Sequence, residues 1–124
     1  MKVLALDYGS ARTGVAVSDP TGTIARPLEI VAAVGTPKGF ARLREVIEAE
    51  QPETIVVGLP LTLRGEHGAQ ADETALFVEK LRAEVSIPVE TYDERFTSVL
   101  ADGDDARAAA HLLSGYLQWQ STRS

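Results

Sequence analysis

"LALDYGSARTGVAVSD" (residues 4–19) decides how this chain folds. Two apolar runs, each closed by an aspartate, flank a short polar link that starts Tyr8-Gly9-Ser10. A short run that is apolar at every position is buried on both faces, as a central strand is. Residues 2–7 (KVLALD) fit that pattern, and residues 12–18 (RTGVAVS) supply a neighbouring strand. Asp7 is then a carboxylate at the end of a buried strand, followed at once by turn residues. A charge held against "VLAL" marks a site with a task, because burial and neighbours tune such groups.

Outward from that stretch, Asp19-Pro20-Thr21-Gly22 is a strong turn signal, so residues 12–18 and 23–31 (TIARPLEIV) form a hairpin. Pro27 places the third strand at a sheet edge, where no ladder donor is missed. "TPKGFARLREVIEAEQPE" spaces Phe40, Leu43, Val46 and Ile47 as one helical face, with Thr36 as N-cap and Pro37 at the first helical position. "TIVVGLP" (54–60) is a buried strand that turns at Gly58-Leu59-Pro60. The polar loop "LTLRGEHG" leads to a helix with Thr74, Phe77, Val78 and Leu81 inward. "IPVETYDER" is a further strand, and a helix spans about 104–118. The order β-β-β-α-β-α-β-α predicts an α/β fold, a mixed five-stranded sheet with helices on both faces. Residues 1–124 read as a single domain, with no repeat or linker.

The whole chain sets outer bounds. Its 124 residues are 44% hydrophobic and 24% charged, enough for one core in an ordinary globular protein. No apolar run nears the roughly 18 residues that a membrane span needs, and no leader pattern opens the chain. The expectation is a cytoplasmic protein with no membrane partner. With no cysteine, disulfides and thiolate metal sites are excluded. A net charge of −6 argues against a broad basic face for nucleic acid, but leaves room for a local basic rim or for bound cations.

Open sheets of this kind bind ligands beyond the carboxyl ends of their parallel strands. Asp7 ends the first strand and Glu94 ends the last, within "YDERFTS", with Asp93 in reserve on the strand face opposite Glu94. On the final helix Ala106, Ala109, Ala110, Leu113, Tyr116 and Leu117 form an apolar face, with Asp105 at its rim. Three converging carboxylates repel one another, and hard divalent cations relieve that repulsion. Two such ions about 4 Å apart activate a water and stabilise the leaving oxygen of a phosphodiester. Arg12, Arg64 and Arg95 are candidates for a phosphate-contacting rim. Gly9 and Gly14 offer bare backbone for close approach, and Thr97 carries a hydroxyl within reach in sequence. Tyr116 and Trp119 read as packing or dimer contacts, since the interleaved basic and aromatic pattern of single-strand binders is missing.

"ALDYGSARTGVAVSD", "IVVGLPL", "YDERFTS" and "DARAAAHLLSGYLQ" together resemble the YqgF family, also called RuvX. The four motifs, in the family's order, cover nearly the whole chain. The resemblance implies an RNase H-like fold similar to RuvC-type Holliday-junction resolvases. It implies a metal-dependent endonuclease of ribosome biogenesis that processes the 5′ end of pre-16S ribosomal RNA, with Mg²⁺ or Mn²⁺, as two ions, for cofactor. Structured RNA is the favoured partner and branched DNA the second. Asp7, Glu94 and Asp105 fall on the family's acidic catalytic and metal-binding positions, with Asp102 and Asp104 as alternatives for the third. The chain departs from the family in having only "VLADGDD" between "DERFTS" and the last helix, where a longer basic stretch is usual.

Two rival classes stand beside the nuclease. A phosphotransferase of the actin and sugar-kinase type also opens with an aspartate-glycine hairpin, but needs two related domains, and this chain has one. A non-catalytic nucleic-acid-binding assembly factor keeps the fold without the chemistry. A resolvase acting on a symmetric junction needs two active sites, so both monomer and homodimer stay open.

Overall fold

A computed structural model describes residues 1–59, 68–93 and 105–123, with the side chains of residues 105, 106 and 123 left aside. The elements are β1 (Val3–Asp7), β2 (Arg12–Ser18), β3 (Ala25–Ala32), α1 (Pro37–Glu50), β4 (Thr54–Leu59), α2 (Ala69–Glu84), β5 (Val89–Asp93) and α3 (Asp105–Arg123). This is the order that the hydrophobic patterning predicts. The strands form one sheet in the order β3-β2-β1-β4-β5, with β1 central as its all-apolar sequence requires. β1 is antiparallel to β2 and parallel to β4, and β4 is parallel to β5.

Strand alternation sends the two sides of β1 to two separate cores. Leu4 and Leu6 join Val15, Val31, Ile55, Val57 and Val89 on one face, under Phe40, Leu43, Val46 and Ile47 of α1 and Phe77, Val78 and Leu81 of α2. Val3, Ala5, Ala16 and Val56 line the other face, under Ala109, Leu112, Leu113 and Tyr116 of α3. Leu112 is thus buried as well, one position wider than the predicted stripe.

Local chemistry sets the element ends. Thr36 Oγ1 accepts from the Gly39 N–H at 3.1 Å, with Pro37 at the first helical position, so α1 starts where its capping signal lies. β3 begins two residues later than its apolar pattern suggests. The Asp19 carboxylate accepts the backbone N–H groups of Thr23 and Ile24 at 2.8 Å each, and also bonds the Thr21 hydroxyl, drawing that stretch into the turn. Pro27 lies on the edge strand, as expected. It pairs with Ala16 beside a bulge, since Val15 pairs with Glu29 and Leu28 is the extra residue. α3 runs about five residues past its expected end, with Ser121 and Thr122 hydroxyls donating to the Gln118 and Trp119 carbonyls in its last turn.

Candidate active site

β1, β4 and β5 are mutually parallel, and β3 runs with them because two antiparallel pairings separate it from β1. Their carboxyl ends (Asp7, Leu59, Asp93 and Ala32) therefore collect at one edge of the sheet. The β2–β3 turn lies at the opposite edge. A cleft lined by Gly22, Thr23, Ser114, Leu117, Gln118 and Ser121 sets the C-terminal half of α3 beside that turn. α3 consequently runs antiparallel to β1, and its first residue, Asp105, belongs to the Asp7 edge.

Asp7 shares a face with Val3 and Ala5, the face that α3 covers. Its partner on β2 is Gly14. On the other side, one step beyond the Leu6–Val57 pair, its neighbour on β4 is Gly58. The half-buried Asp7 carboxylate thus stands between two buried residues that carry no side chain. The row continues outward to Ile30, paired with Gly14, and to Tyr92, paired with Gly58. Gly58 and Leu59 do not form a turn as the sequence implies: both remain in β4, paired with Tyr92 and Asp93. A glycine inside a strand often marks a bulge, a bend or a place where a ligand or another backbone comes close.

The residue after Asp7 fixes it from behind. Tyr8 points to the opposite face, where its ring stacks on Phe77 at a centroid distance of 4.7 Å and its hydroxyl donates to Glu73 Oε2 at 2.8 Å. Burial, then the adjacent Glu73 carboxylate, push the Tyr8 phenol up to about 12, so it remains a donor at neutral pH. β1 and α2 are joined by this contact at the position next to the carboxylate. Sequence reading missed Tyr8. The only signal was its aromatic character at the strand end.

Arg12 lies on the same face as Gly14 and Ala16, exposed, two residues farther out along β2 than the partner of Asp7. Of the predicted rim, Arg12 is the one cation that the described residues include. Gly9 has a steric reason for its identity: a Cβ there would meet the Arg12 carbonyl oxygen at 2.3 Å. Its N–H and carbonyl face the buried Thr13 hydroxyl at 3.4 and 3.3 Å, closing the β1–β2 connection. Glu94, Arg64, Arg95, Thr97, Asp102 and Asp104 lie outside the described residues, as does the Asp105 side chain. Among the described residues no three His, Cys, Asp or Glu side chains gather as a metal site. Of the three expected ligands Asp7 is the one whose side chain they include, and the reserve Asp93 ends β5 on the opposite face, paired with Leu59. His111 is exposed on α3.

A family model described as RuvX, Holliday junction resolvase, matches residues 1–119. The chain belongs to the RuvX family. A relative from Chloroflexus aggregans, named "Putative pre-16S rRNA nuclease", is 44% identical over 100 residues, covering 81% of this chain and 70% of its own. One of the same name from Desulforamulus reducens is 34% identical over 132 aligned positions, covering 94% and 96%. That alignment has more positions than this chain has residues, so this RuvX relative carries insertions that the present chain lacks. In structure, the chain is similar to Thermus thermophilus RuvC in complex with a Holliday junction substrate, with a TM-score of 0.64, 20% identity, and 100% and 98% of the two chains covered. The likeness shows that RuvX and RuvC share the RNase H-like fold.

Proposed function

We propose that this RuvX protein is a divalent-metal-dependent endonuclease that cleaves structured RNA, with the 5′ end of pre-16S ribosomal RNA as the favoured substrate. One observation carries the reading: a half-buried aspartate, at the carboxyl edge of the sheet, has glycine on both neighbouring strands. An oxygen ligand with bare backbone on either side suits a small hard cation together with a phosphate that must come close to the strand ends. The names of the curated relatives support the substrate.

Asp7 would hold the metal, with Glu94 and Asp105 as further ligands and Asp102 or Asp104 as replacements for the third. When bound, a pair of divalent ions supplies water activation and stabilisation of the leaving oxygen. The chain's own part is to orient the phosphodiester against Asp7, with Tyr8 and Phe77 fixing the end of β1. Arg12 would neutralise a flanking phosphate at the same edge, and Arg64, Arg95, Thr97 and the Gly9 backbone would extend that contact. Hydrolysis of branched DNA is the second reading, favoured by the structural likeness to RuvC.

The test is cleavage of a labelled pre-rRNA 5′ leader, a single-stranded RNA and a four-way DNA junction, in Mg²⁺ and in Mn²⁺. Wild type should cut the leader, and Asp7→Asn should lose about a thousandfold or more in rate, the scale of several kcal/mol of transition-state charge stabilisation. Preference for the junction would move the assignment to a resolvase. Absence of cleavage on every substrate, with binding intact, would leave an assembly factor.

A further inference from the structure

Among the described residues five large hydrophobic side chains are exposed, and one of them is aromatic: Trp119, 41% exposed on α3. It is also the only tryptophan of the chain. Its indole is held by two tyrosines, with centroid distances of 5.7 Å to Tyr92 and 5.9 Å to Tyr116, while the two tyrosine rings meet edge-on at 5.8 Å. Tyr116 is fully buried, and its hydroxyl donates to Glu90 Oε2 at 3.1 Å, so the support under the indole is fixed.

The position of this trio matters. α3 packs on β1, β2 and β3, and the three rings reach from it toward β5 at the far edge. Tyr92 is paired with Gly58, in the row of Asp7, and two strand spacings put its backbone roughly 10 Å from that of Asp7. A nucleic-acid strand whose phosphate lies at Asp7 spans that distance, and the further 5.7 Å between the Tyr92 and Trp119 rings, within a few nucleotides.

Charge selects which part of such a strand fits here. The chain carries −6 overall, Glu90 accepts from Tyr116 within the trio, and Asp93 adjoins Tyr92. Phosphates are repelled from this patch by its two carboxylates. A nucleobase is neutral and presents a flat π surface, which stacks on aromatic side chains without regard to sequence. We propose that Trp119, braced by Tyr92 and Tyr116, is the stacking platform for an unpaired nucleobase of the strand cleaved at Asp7. The proposal rests on the nuclease reading and adds the residue that supplies affinity in an acidic protein.

The experiment uses the full chain carrying Asp7→Asn, so that RNA is bound without being cut. Binding of a labelled short single-stranded RNA is followed by anisotropy, and Trp119 emission is followed with the unlabelled RNA. RNA should quench Trp119. Adding Trp119→Ala should weaken binding roughly 5- to 150-fold, the range for loss of one stacked base. Trp119→Phe, which keeps a ring and preserves packing if the alanine variant unfolds, should recover most of the affinity. An RNA of equal length with abasic nucleotides should bind wild-type and Trp119→Ala side chains equally weakly. Binding with unquenched Trp119 and unchanged affinity in Trp119→Ala would overturn the platform and leave the nuclease reading standing. Failure of every form to bind RNA would overturn both. Concentration-dependent dimerisation that buries Trp119 without RNA would overturn the platform in favour of a second copy on this face.

Discussion

The two faces of the sheet are built from different materials. Under α1 and α2 the sheet presents leucine, isoleucine and valine, met by Phe40 and Phe77 from the helices. Under α3 lie valine, alanine and, at the row of Asp7, the two glycines Gly14 and Gly58. The first face holds the fold together. The second keeps its side chains small where a carboxylate must stay accessible, and covers the β5 side with tyrosine and tryptophan instead of aliphatic bulk. A central strand buried on both sides lets the chain separate the two demands.

Substitutions on the two faces should therefore separate stability from activity. The largest effect on stability belongs to the aliphatic face: Leu81→Ala removes a fully buried side chain and should cost about 2–5 kcal/mol in urea unfolding. Cleavage per folded molecule should be unchanged, and a parallel loss of specific activity would show that the faces are coupled. Gly58→Val makes the complementary change, placing a β-favouring side chain beside Asp7. Cleavage should fall about a hundredfold, as small misplacements at a reacting centre do, with the unfolding midpoint moved far less than by Leu81→Ala.

Smaller effects sharpen the comparison at the element ends. Thr36→Ala removes the capping oxygen from the Gly39 N–H and should cost about 1 kcal/mol, read in the same unfolding experiment, with no change in cleavage rate. The smallest expected effect is pH-dependent. Backbone N–H groups of Ile24 and Thr23 and the Thr21 hydroxyl hold the Asp19 carboxyl below its ordinary range. A carboxyl whose folded value is depressed contributes stability that is complete above its unfolded value, about 4, and is lost as pH falls toward the folded one. Wild type should thus lose stability below about pH 4 more steeply than Asp19→Asn, with the two curves parallel at neutral pH.

Much of this was legible in one dimension. The all-apolar "VLAL" of β1, the Pro27 edge signal and the Thr36-Pro37 cap each state a local physical rule, and each element stands where its rule puts it. Asp7 was legible for the same reason: a charge following such a run conflicts with burial unless it has work to do. Gly58 was misread as a turn, because glycine before Leu-Pro is a breaker by local propensity, whereas pairing with Tyr92 keeps it in the strand. Tyr8 and Trp119 were not legible as parts of a site, since an aromatic residue in sequence says only that it will pack somewhere.

By itself, then, the sequence determined the element order, the central place of β1 and the carboxylate at its end, because strand burial and capping are set by residues near one another in the chain. Only the tertiary structure decided what stands around Asp7. Register brings Gly14 and Gly58 to its sides, and alternation sends Tyr8 to the opposite face. The direction of α3 brings Asp105 to the same edge and Trp119 against Tyr92. Each of these is a relation between strands or layers distant in sequence, fixed by hydrogen-bond register and core packing that no local pattern encodes.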